Sequence, residues 1–198
     1  MTSPLTSRDR AKAERAEALL RAAASLFAER GYNGVSLEEI GAAVGVSGPA
    51  VYRHFAGKQA LLGAVLVKVS EELVHGGIRV ADTSDSDIAR LHALIAFHVD
   101  FALGNADVIR VHDQDVAHLS DADRSEVRRL QRTYIERWIT ALGAVAPDAG
   151  NDELRLRVQA CFGLINSTPH STKSSTRRQT ATAAILTAMA EAAILAAS

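Results

Sequence analysis

The chain is poor in the residues that build extended or cross-linked folds. Its 198 residues include one cysteine, four prolines and only 5% aromatic residues. The single Cys161 cannot form an internal disulfide, which is typical of a protein in the reducing cytoplasm. No segment alternates Val, Ile, Thr or Tyr with polar residues over the length of a strand. These absences favour an all-α protein.

A strong charge of either sign is also missing. The net charge is −1, which excludes a general polyanion-binding protein. The charge is uneven, however, because residues 1–58 carry a net +2 and the remainder carries −3. A basic N-terminal part on an acidic body is typical of a protein that contacts nucleic acid at one end only.

Long hydrophobic runs are equally scarce. The first fifteen residues are charged and have no apolar centre, so they do not form a secretory signal. The segment 179–198 is the most apolar part of the chain, but it consists mostly of alanine and contains Glu191. We interpret it as a buried interface helix and not as a membrane span.

Apolar residues spaced three and four apart predict about nine helices. After a mobile start over residues 1–12, a first helix runs from near Arg10 to Arg30, and a helix-turn-helix occupies 36–56. A long helix from Lys58 ends near Gly76, and Gly76-Gly77 together with the polar run 82–87 mark a loop. Further helices are predicted over about 87–103, 106–117, 121–145, 152–167 and 177–197. We place the domain boundary after Lys58, which gives a helix-turn-helix domain (1–58) and a larger helical domain (59–198).

Residues 36–58 have the pattern of two short helices joined by a tight turn. Ser36 and Glu39 have the spacing of a capping box, which marks the start of the first helix. Gly45 occupies the position where a helix often ends with a left-handed residue. Ser47 is the predicted N-cap of the second helix, whose inward anchors are Val51 and Phe55. Such a second helix fits the major groove of DNA.

The candidate DNA-binding residues carry hydroxyls, long donors or very small side chains. The serines and the helix-start amides are suited to phosphates, and Lys58 adds a charge there. Arg53 is suited to a guanine edge or a phosphate, and Pro49 or Ala50 to a thymine methyl. The full set is Ser36, Ser47, Gly48, Pro49, Ala50, Tyr52, Arg53, His54 and Lys58. Ahead of the first helix, the basic cluster Arg8, Arg10, Lys12 and Arg15 fits either a minor-groove arm or a solvated tail.

Two stretches resemble the TetR-type bacterial repressors. Residues 19–32 (LLRAAASLFAERGY) are similar to the first helix of that family, and residues 45–58 are similar to its recognition helix and exit. The resemblance covers about residues 15–66 and implies a homodimeric, all-helical, ligand-responsive transcription factor. One departure is Pro49-Ala50, where the family often has Gly-Thr. The operator sequence therefore cannot be carried over from the family.

The second half of the chain contains no enzyme or cofactor motif, since a phosphate loop, a nucleophile elbow and the H-E-x-x-H spacing are all absent. We expect no cofactor and no metal. A metal-sensing alternative rests on His92, His98, His112, His118 and the intervening Asp115. No two of these histidines lie four apart on one helix, which argues against zinc or nickel.

A ligand pocket is the favoured interpretation of the larger domain, because its helices are apolar on more than one side. The candidate lining residues are aromatic or polar side chains within these helices: Phe97, His98, Phe101, His112, Tyr134, Trp138, Cys161 and Asn166. Filling of the core is the alternative for each aromatic residue. A hydrophobic effector is expected, and an acyl chain, an acyl-coenzyme A ester and a drug-like molecule all fit.

The last two helices are expected to form a homodimer by pairing with their symmetry mates into a four-helix bundle. The apolar repeats behind this expectation are Leu154, Val158, Cys161 and Ile165 on one helix, and Ile185, Ala188, Met189 and Ala192 on the other. The sequence thus predicts a ligand-responsive repressor of a near-palindromic operator. The alternatives are a metal-responsive regulator on the same fold and a helical adaptor or enzyme.

Overall fold

The computed structural model describes residues 6–171 and 180–196. These ranges hold nine helices of five residues or more and no strand, which confirms the all-α prediction. The helices are α1 (Ser7–Arg30), α2 (Leu37–Ala43), α3 (Gly48–Tyr52), α4 (Lys58–Asp82), α5 (Asp87–Gly104), α6 (Ala106–Asp115), α7 (Asp121–Val145), α8 (Asn151–Asn166) and α9 (Thr180–Ile194). Shorter turns of helix cover Tyr32–Gly34, Val116–His118 and Thr168–Ser171.

Some predicted elements fall partly outside these ranges. The predicted start of the last helix at 177–179 and most of the linker before it lie outside the described residues. Across the part of the chain that the structure describes, no helix is both long and apolar enough to cross a membrane.

Helix α1 begins earlier than predicted. Thr6 is its N-cap, and the Asp9 amide donates to Thr6 Oγ1 (3.2 Å) while the Thr6 amide donates to Asp9 Oδ2 (3.3 Å). The prediction of a mobile segment up to residue 12 is therefore wrong for residues 7–12. Apolar periodicity alone could not find this start, because the first three turns are exposed and polar.

The turn between α2 and α3 depends on two glycines. Gly45 has φ +70°, the left-handed conformation predicted for it. Gly41 lies against the second helix so closely that a Cβ would come within 2.8 Å of both the Val46 carbonyl oxygen and Val51 Cγ2. The capping box predicted at Ser36 and Glu39 is present. These contacts hold α3 across α2 as a helix-turn-helix.

Helix α4 continues through the glycine pair that was predicted as a loop. Both glycines are buried in helix contacts, because a Cβ on Gly76 would overlap the Phe97 ring and one on Gly77 would come within 2.7 Å of Tyr134 Cε2. The pair thus marks the place where α5 and α7 approach the α4 backbone. In sequence a Gly-Gly pair indicates a break, and only its neighbours in space show otherwise.

Two hydrophobic cores lie along α4. The N-terminal core combines α1–α3 with Leu61, Leu62, Val65 and Leu66 of α4, and it also takes in apolar residues of α6 and α7. The second core lies between α4, α5, α7, α8 and α9, with Trp138 fully buried inside it. Because α4 is continuous, it is a rigid connection between the two cores.

We expect Gly76→Ala to lower the free energy of unfolding by about 1–3 kcal/mol, because the added methyl overpacks the contact with Phe97. Urea denaturation at fixed protein concentration measures the effect. Gly104→Ala is the matched control, since nothing lies within 4 Å of a Cβ at that position. Equal stability of the two variants would contradict the close approach of α5 to α4.

Candidate DNA interface and ligand cavity

The outward side of the helix-turn-helix carries Pro49, Tyr52 and Arg53. All three are exposed, and Tyr52 is 54% exposed despite its large ring. Ala50 is only 8% exposed, so Pro49 is the more accessible of the two residues predicted to contact a thymine methyl. A five-residue helix has too few turns for periodicity to assign each position to a face.

Helix α3 is also shorter than predicted. It ends at Tyr52, so Arg53 is its C-cap and His54 lies in the following turn, not in the middle of a helix. Helix-like bonds continue the turn, since the amides of His54 and Phe55 donate to the Val51 carbonyl (2.8 and 3.0 Å). Gly48, which begins α3, is half-buried against Glu38.

The two N-cap serines differ in what their hydroxyls do. The Ser36 hydroxyl donates to Glu39 Oε2 (2.8 Å) and accepts from the Glu39 amide (3.2 Å). Hydrogen bonds from the Ser36 amide and hydroxyl, together with Arg30, lower the pKa of Glu39 to about 2. Ser47 is exposed and its side chain makes no capping bond. Of the two serines, Ser47 thus has the hydroxyl that is not engaged in a cap.

Lys58 is held against the N-terminal domain. Its Nζ donates to the carbonyl oxygens of Tyr32 (2.8 Å) and Val35 (2.9 Å), and it lies 4.3 Å from the centre of the Tyr32 ring. An ammonium group has three donors, so these bonds leave one. The sequence suggested only a phosphate contact for Lys58, because the two carbonyl partners lie more than twenty residues upstream.

Cations of α1 lie near the recognition helix. Burial lowers the pKa of His54, and the positive charges of Lys12, Arg15 and Arg53 lower it further. The basic residues from Arg8 to Arg15 therefore belong to the exposed first turns of a helix and not to an extended arm or tail, and two of them, Lys12 and Arg15, lie near His54.

The N-terminal domain is joined to the larger domain through the end of α6. Asp115 is 4% exposed, and its Oδ1 accepts from the Tyr32 amide (3.2 Å). The Tyr32 ring stacks on His118 with 4.6 Å between centroids. Gln59 of α4 donates to the His118 carbonyl (3.0 Å). The short segment 115–118 thus contacts both the connection between α1 and α2 and the start of α4.

The histidines considered for a metal site have separate environments. His112 accepts from the Gln131 side chain (2.7 Å), His118 stacks on Tyr32, and His92 lies 4.0 Å from Glu191. Within the described ranges, no three His, Cys, Asp or Glu residues are grouped so that they could hold a metal ion. The metal-sensing alternative is not favoured.

A cavity of about 250 Å³ lies between α4, α5, α7 and α8. Three of the predicted pocket residues line it, namely His98, Tyr134 and Asn166. The other lining residues were not predicted from the sequence and are Ser70, Leu73, Leu130, Gln131, Ile135 and Phe162. Most of these belong to ordinary apolar stripes, so no signal in the sequence separated them from core residues.

The remaining predicted pocket residues lie around the cavity. Phe101 and Trp138 pack against the His98 ring, with centroid distances of 6.1 and 5.9 Å. Phe97 packs on Gly76, and Cys161 is buried in the core, where burial raises its thiol pKa to about 11. His112 contacts the cavity wall only through Gln131. These side chains support the wall and do not line it.

His98 is the polar centre of the cavity wall. Its ring is 3% exposed and stacks on Phe162 at 4.6 Å. Burial lowers the pKa of His98 to about 4, although the adjacent Asn166 side chain acts in the opposite direction. The Tyr134 hydroxyl lies 3.4 Å from His98 Nδ1. His98 is therefore neutral at physiological pH.

The lowered pKa of His98 predicts a pH-dependent stability. The unfolded chain binds a proton near pH 6.5 and the folded chain only near pH 4, so stability falls as the pH drops through this window. Between about pH 7 and about pH 5.5 we expect the contribution of His98 to fall by on the order of 1 kcal/mol. Urea denaturation should show this loss reduced in His98→Gln. In the control His75→Gln, which removes an exposed histidine, the loss should persist.

Family models match both parts of the chain. A model described as bacterial regulatory proteins, tetR family, matches residues 19–65. A second model, described as tetracyclin repressor-like, C-terminal domain, matches residues 84–170. Together the two models cover more than half of the sequence and most of the helices described above.

Individual relatives agree with these matches. The transcriptional activator FasR of Mycolicibacterium smegmatis is 38% identical over 88 residues, which are 44% of this chain and 40% of FasR. The transcriptional repressor KstR2 of Rhodococcus jostii is 25% identical over 169 residues, which are 85% of this chain and 82% of KstR2. The chain thus matches less than half the length of FasR but most of KstR2.

A solved structure supports the fold. The crystal structure of AibR in complex with isovaleryl coenzyme A and operator DNA superposes with a TM-score of 0.74 at 19% identity, over 89% of this chain and 96% of AibR. At that identity the likeness concerns the fold alone. With both family models matched, the chain belongs to the TetR family of bacterial regulatory proteins, which are DNA-binding transcriptional regulators and not enzymes.

Proposed function

We propose that this chain is a cytoplasmic homodimeric repressor that binds a near-palindromic operator and leaves it when a hydrophobic small molecule fills the cavity. The observation that carries the DNA-binding part is the exposed side of the helix-turn-helix, where Tyr52 is exposed and Arg53 lies near His54 together with Lys12 and Arg15 of α1. Among the relatives, FasR is named an activator and KstR2 a repressor. Repression is the interpretation that the longer match favours.

The proposed DNA surface has two parts. Exposed Pro49, Tyr52 and Arg53 enter the major groove, with Ser47 and the third donor of Lys58 on phosphates. The basic side chains of α1, from Arg8 to Arg15, contact the adjacent backbone. Ser36 is a weaker phosphate ligand, because its hydroxyl proton already bonds Glu39.

The proposed dimer uses α8 and α9, but with a different side of α8 than the sequence suggested. The predicted α8 residues Leu154, Val158, Cys161 and Ile165 are buried in the chain's own core. The large exposed apolar residues on these helices are Leu156 (67%), Ile185 (59%) and Met189 (50%), and the predicted interface residues Ala188 and Ala192 are exposed as well. Large apolar side chains at such exposure are suited to a partner surface.

Coupling between the cavity and the DNA would pass through α6 and α4. Gln131 lines the cavity and bonds His112 of α6, while Asp115 of the same helix bonds the Tyr32 amide. A ligand that moves α7 would shift α6. The contact of α6 with Tyr32, directly after α1, and the start of α4 would then move with it. A tenfold loss of operator affinity needs only about 1.4 kcal/mol of coupling. AibR, whose fold is similar, was solved with both isovaleryl coenzyme A and operator DNA, which supports a small-molecule site and an operator site on one fold.

DNA binding should be selective and salt-dependent. We expect the protein to bind DNA from upstream of its own gene more tightly than unrelated DNA in a fluorescence-anisotropy titration. Arg53→Ala should cost about 1–3 kcal/mol if Arg53 contacts a guanine, at one base pair per half-site. Selective binding that resists this substitution would remove Arg53 from base recognition.

The proposed contact between α1 and the DNA backbone is tested by the salt dependence of DNA binding. Replacing both Lys12 and Arg15 with alanine should reduce the slope of log affinity against log salt by about two units per protomer, since each lost phosphate contact lowers it by about 0.9. Arg79→Ala, an exposed site in the last turn of α4, is the control with an unchanged slope. The same slope in all three proteins would show that α1 does not contact DNA.

The dimer surface is tested by Met189→Glu, which places a charge where an apolar partner is expected. Sedimentation should show a folded monomer, with helicity checked by circular dichroism. Ala144→Glu changes an exposed position of α7 in the same way and should remain a dimer. A Met189→Glu protein that keeps the parent's mass would place the interface elsewhere.

A further inference from the structure

The cavity has no charged side chain in its wall. Its polar lining consists of Ser70, His98, Gln131, Tyr134 and Asn166, and every other lining residue is apolar. His98 is neutral because of its burial, so it adds no positive charge. A ligand with a carboxylate or phosphate in this cavity would bury a charge without a counter-ion, which is strongly unfavourable.

Two polar atoms of this wall are buried without a hydrogen-bond partner among the described residues. They are His98 Nε2 and Asn166 Oδ1, on facing helices α5 and α8. Asn166 acts on the pKa of His98 as a hydrogen-bond partner would, but the contact between the two side chains does not have the geometry of a regular hydrogen bond. Unpaired buried polar atoms are destabilising, so a ligand that bonds them gains binding energy.

The neighbours of His98 determine what it offers. A neutral imidazole carries one proton, and in the tautomer that lets the Tyr134 hydroxyl donate to Nδ1 that proton is on Nε2. The wall then presents an N–H donor from His98 beside a carbonyl acceptor from Asn166. Stacking on Phe162 fixes the ring plane, so the donor has a defined direction.

We infer that the cavity takes a small uncharged molecule whose ketone, ester or hydroxyl oxygen is held by His98 Nε2, with Asn166 as the acceptor for any hydroxyl proton. This assignment rests on the proposed regulatory function for its biological meaning, but not for its binding chemistry. The volume of about 250 Å³ limits the occupant, since typical ligand pockets begin near 300 Å³. An aliphatic chain of moderate length or a small ring system meets this limit.

The test compares ligands that share one chain and differ in the polar end. Decanone, decanol, decanoate and decane are titrated into DNA-free protein, with the melting temperature and intrinsic Trp138 fluorescence as readouts. We expect decanone and decanol to bind about tenfold more tightly than decane, as one buried hydrogen bond allows. Decanoate should bind more weakly than decanone at every pH where it is ionised. Failure of all four to bind, or decanoate binding as tightly as decanone, overturns the assignment.

Variants locate the contact. In Asn166→Leu the preference for decanol over decane should fall because the hydroxyl proton loses its acceptor, and in Tyr134→Phe the preference for decanone should fall because Nδ1 loses its donor. Asn151→Leu, at the far end of α8, is the control that keeps the parent's preferences. Because Tyr134→Phe keeps the ring, it remains informative if Asn166→Leu fails to fold. Preferences equal to the parent's in both cavity variants would overturn the assignment of these residues.

Operator release is measured separately by gel shift with the same compounds. If decanone binds but does not release DNA, the inference about the ligand is supported and the proposal of ligand-released repression is contradicted. If a carboxylate releases DNA while decanone does not bind, ligand-released repression is supported and the inference of an uncharged ligand is contradicted.

Discussion

The close approach of α5 and α7 to the backbone of α4 is the constraint on which the larger domain depends. At Gly76 and Gly77 no side chain separates the helices, so the rings of Phe97 and Tyr134 lie directly on α4. Tyr134 is then held with its hydroxyl toward His98. The polar centre of the cavity therefore follows from two residues that have no side chain, on a helix that also belongs to the N-terminal core.

The junction between the domains depends on polar contacts that are few but buried. The Asp115 carboxylate accepts from the Tyr32 amide, and its second oxygen has no partner among the described residues. Burying a carboxylate in this way is costly, which makes the junction a place where small movements have large energetic effects. Lys58 adds a second link by bonding the Tyr32 and Val35 carbonyls. Both links converge on the segment after α1, so a displacement of α6 or α4 would change the position of the helix-turn-helix.

The predictions from sequence that were confirmed are those that depend on residues close together in the chain. The capping box at Ser36, the left-handed Gly45 and the inward Val51 each depend on neighbours within a few residues, and each was confirmed. The predictions that were wrong concern residues whose conformation or burial depends on contacts with distant parts of the chain. The Gly76-Gly77 pair was predicted as a loop, yet partners twenty and nearly sixty residues away keep it helical. Leu154 and Val158 were assigned to a dimer interface, because periodicity identifies an apolar face but not what covers it.

The sequence by itself determined the helical class, the helix-turn-helix and the family, because caps, turns and apolar spacing are properties of short segments. Only the tertiary structure decided which side chains meet: that Ala50 faces inward, that Lys58 bonds two carbonyls, and that His98, Tyr134 and Asn166 line one cavity. The physical reason is that burial and hydrogen bonding depend on residues far apart in the chain. The neutral state of His98 is an example, since it results from aromatic rings contributed by α7 and α8 as well as by its own helix.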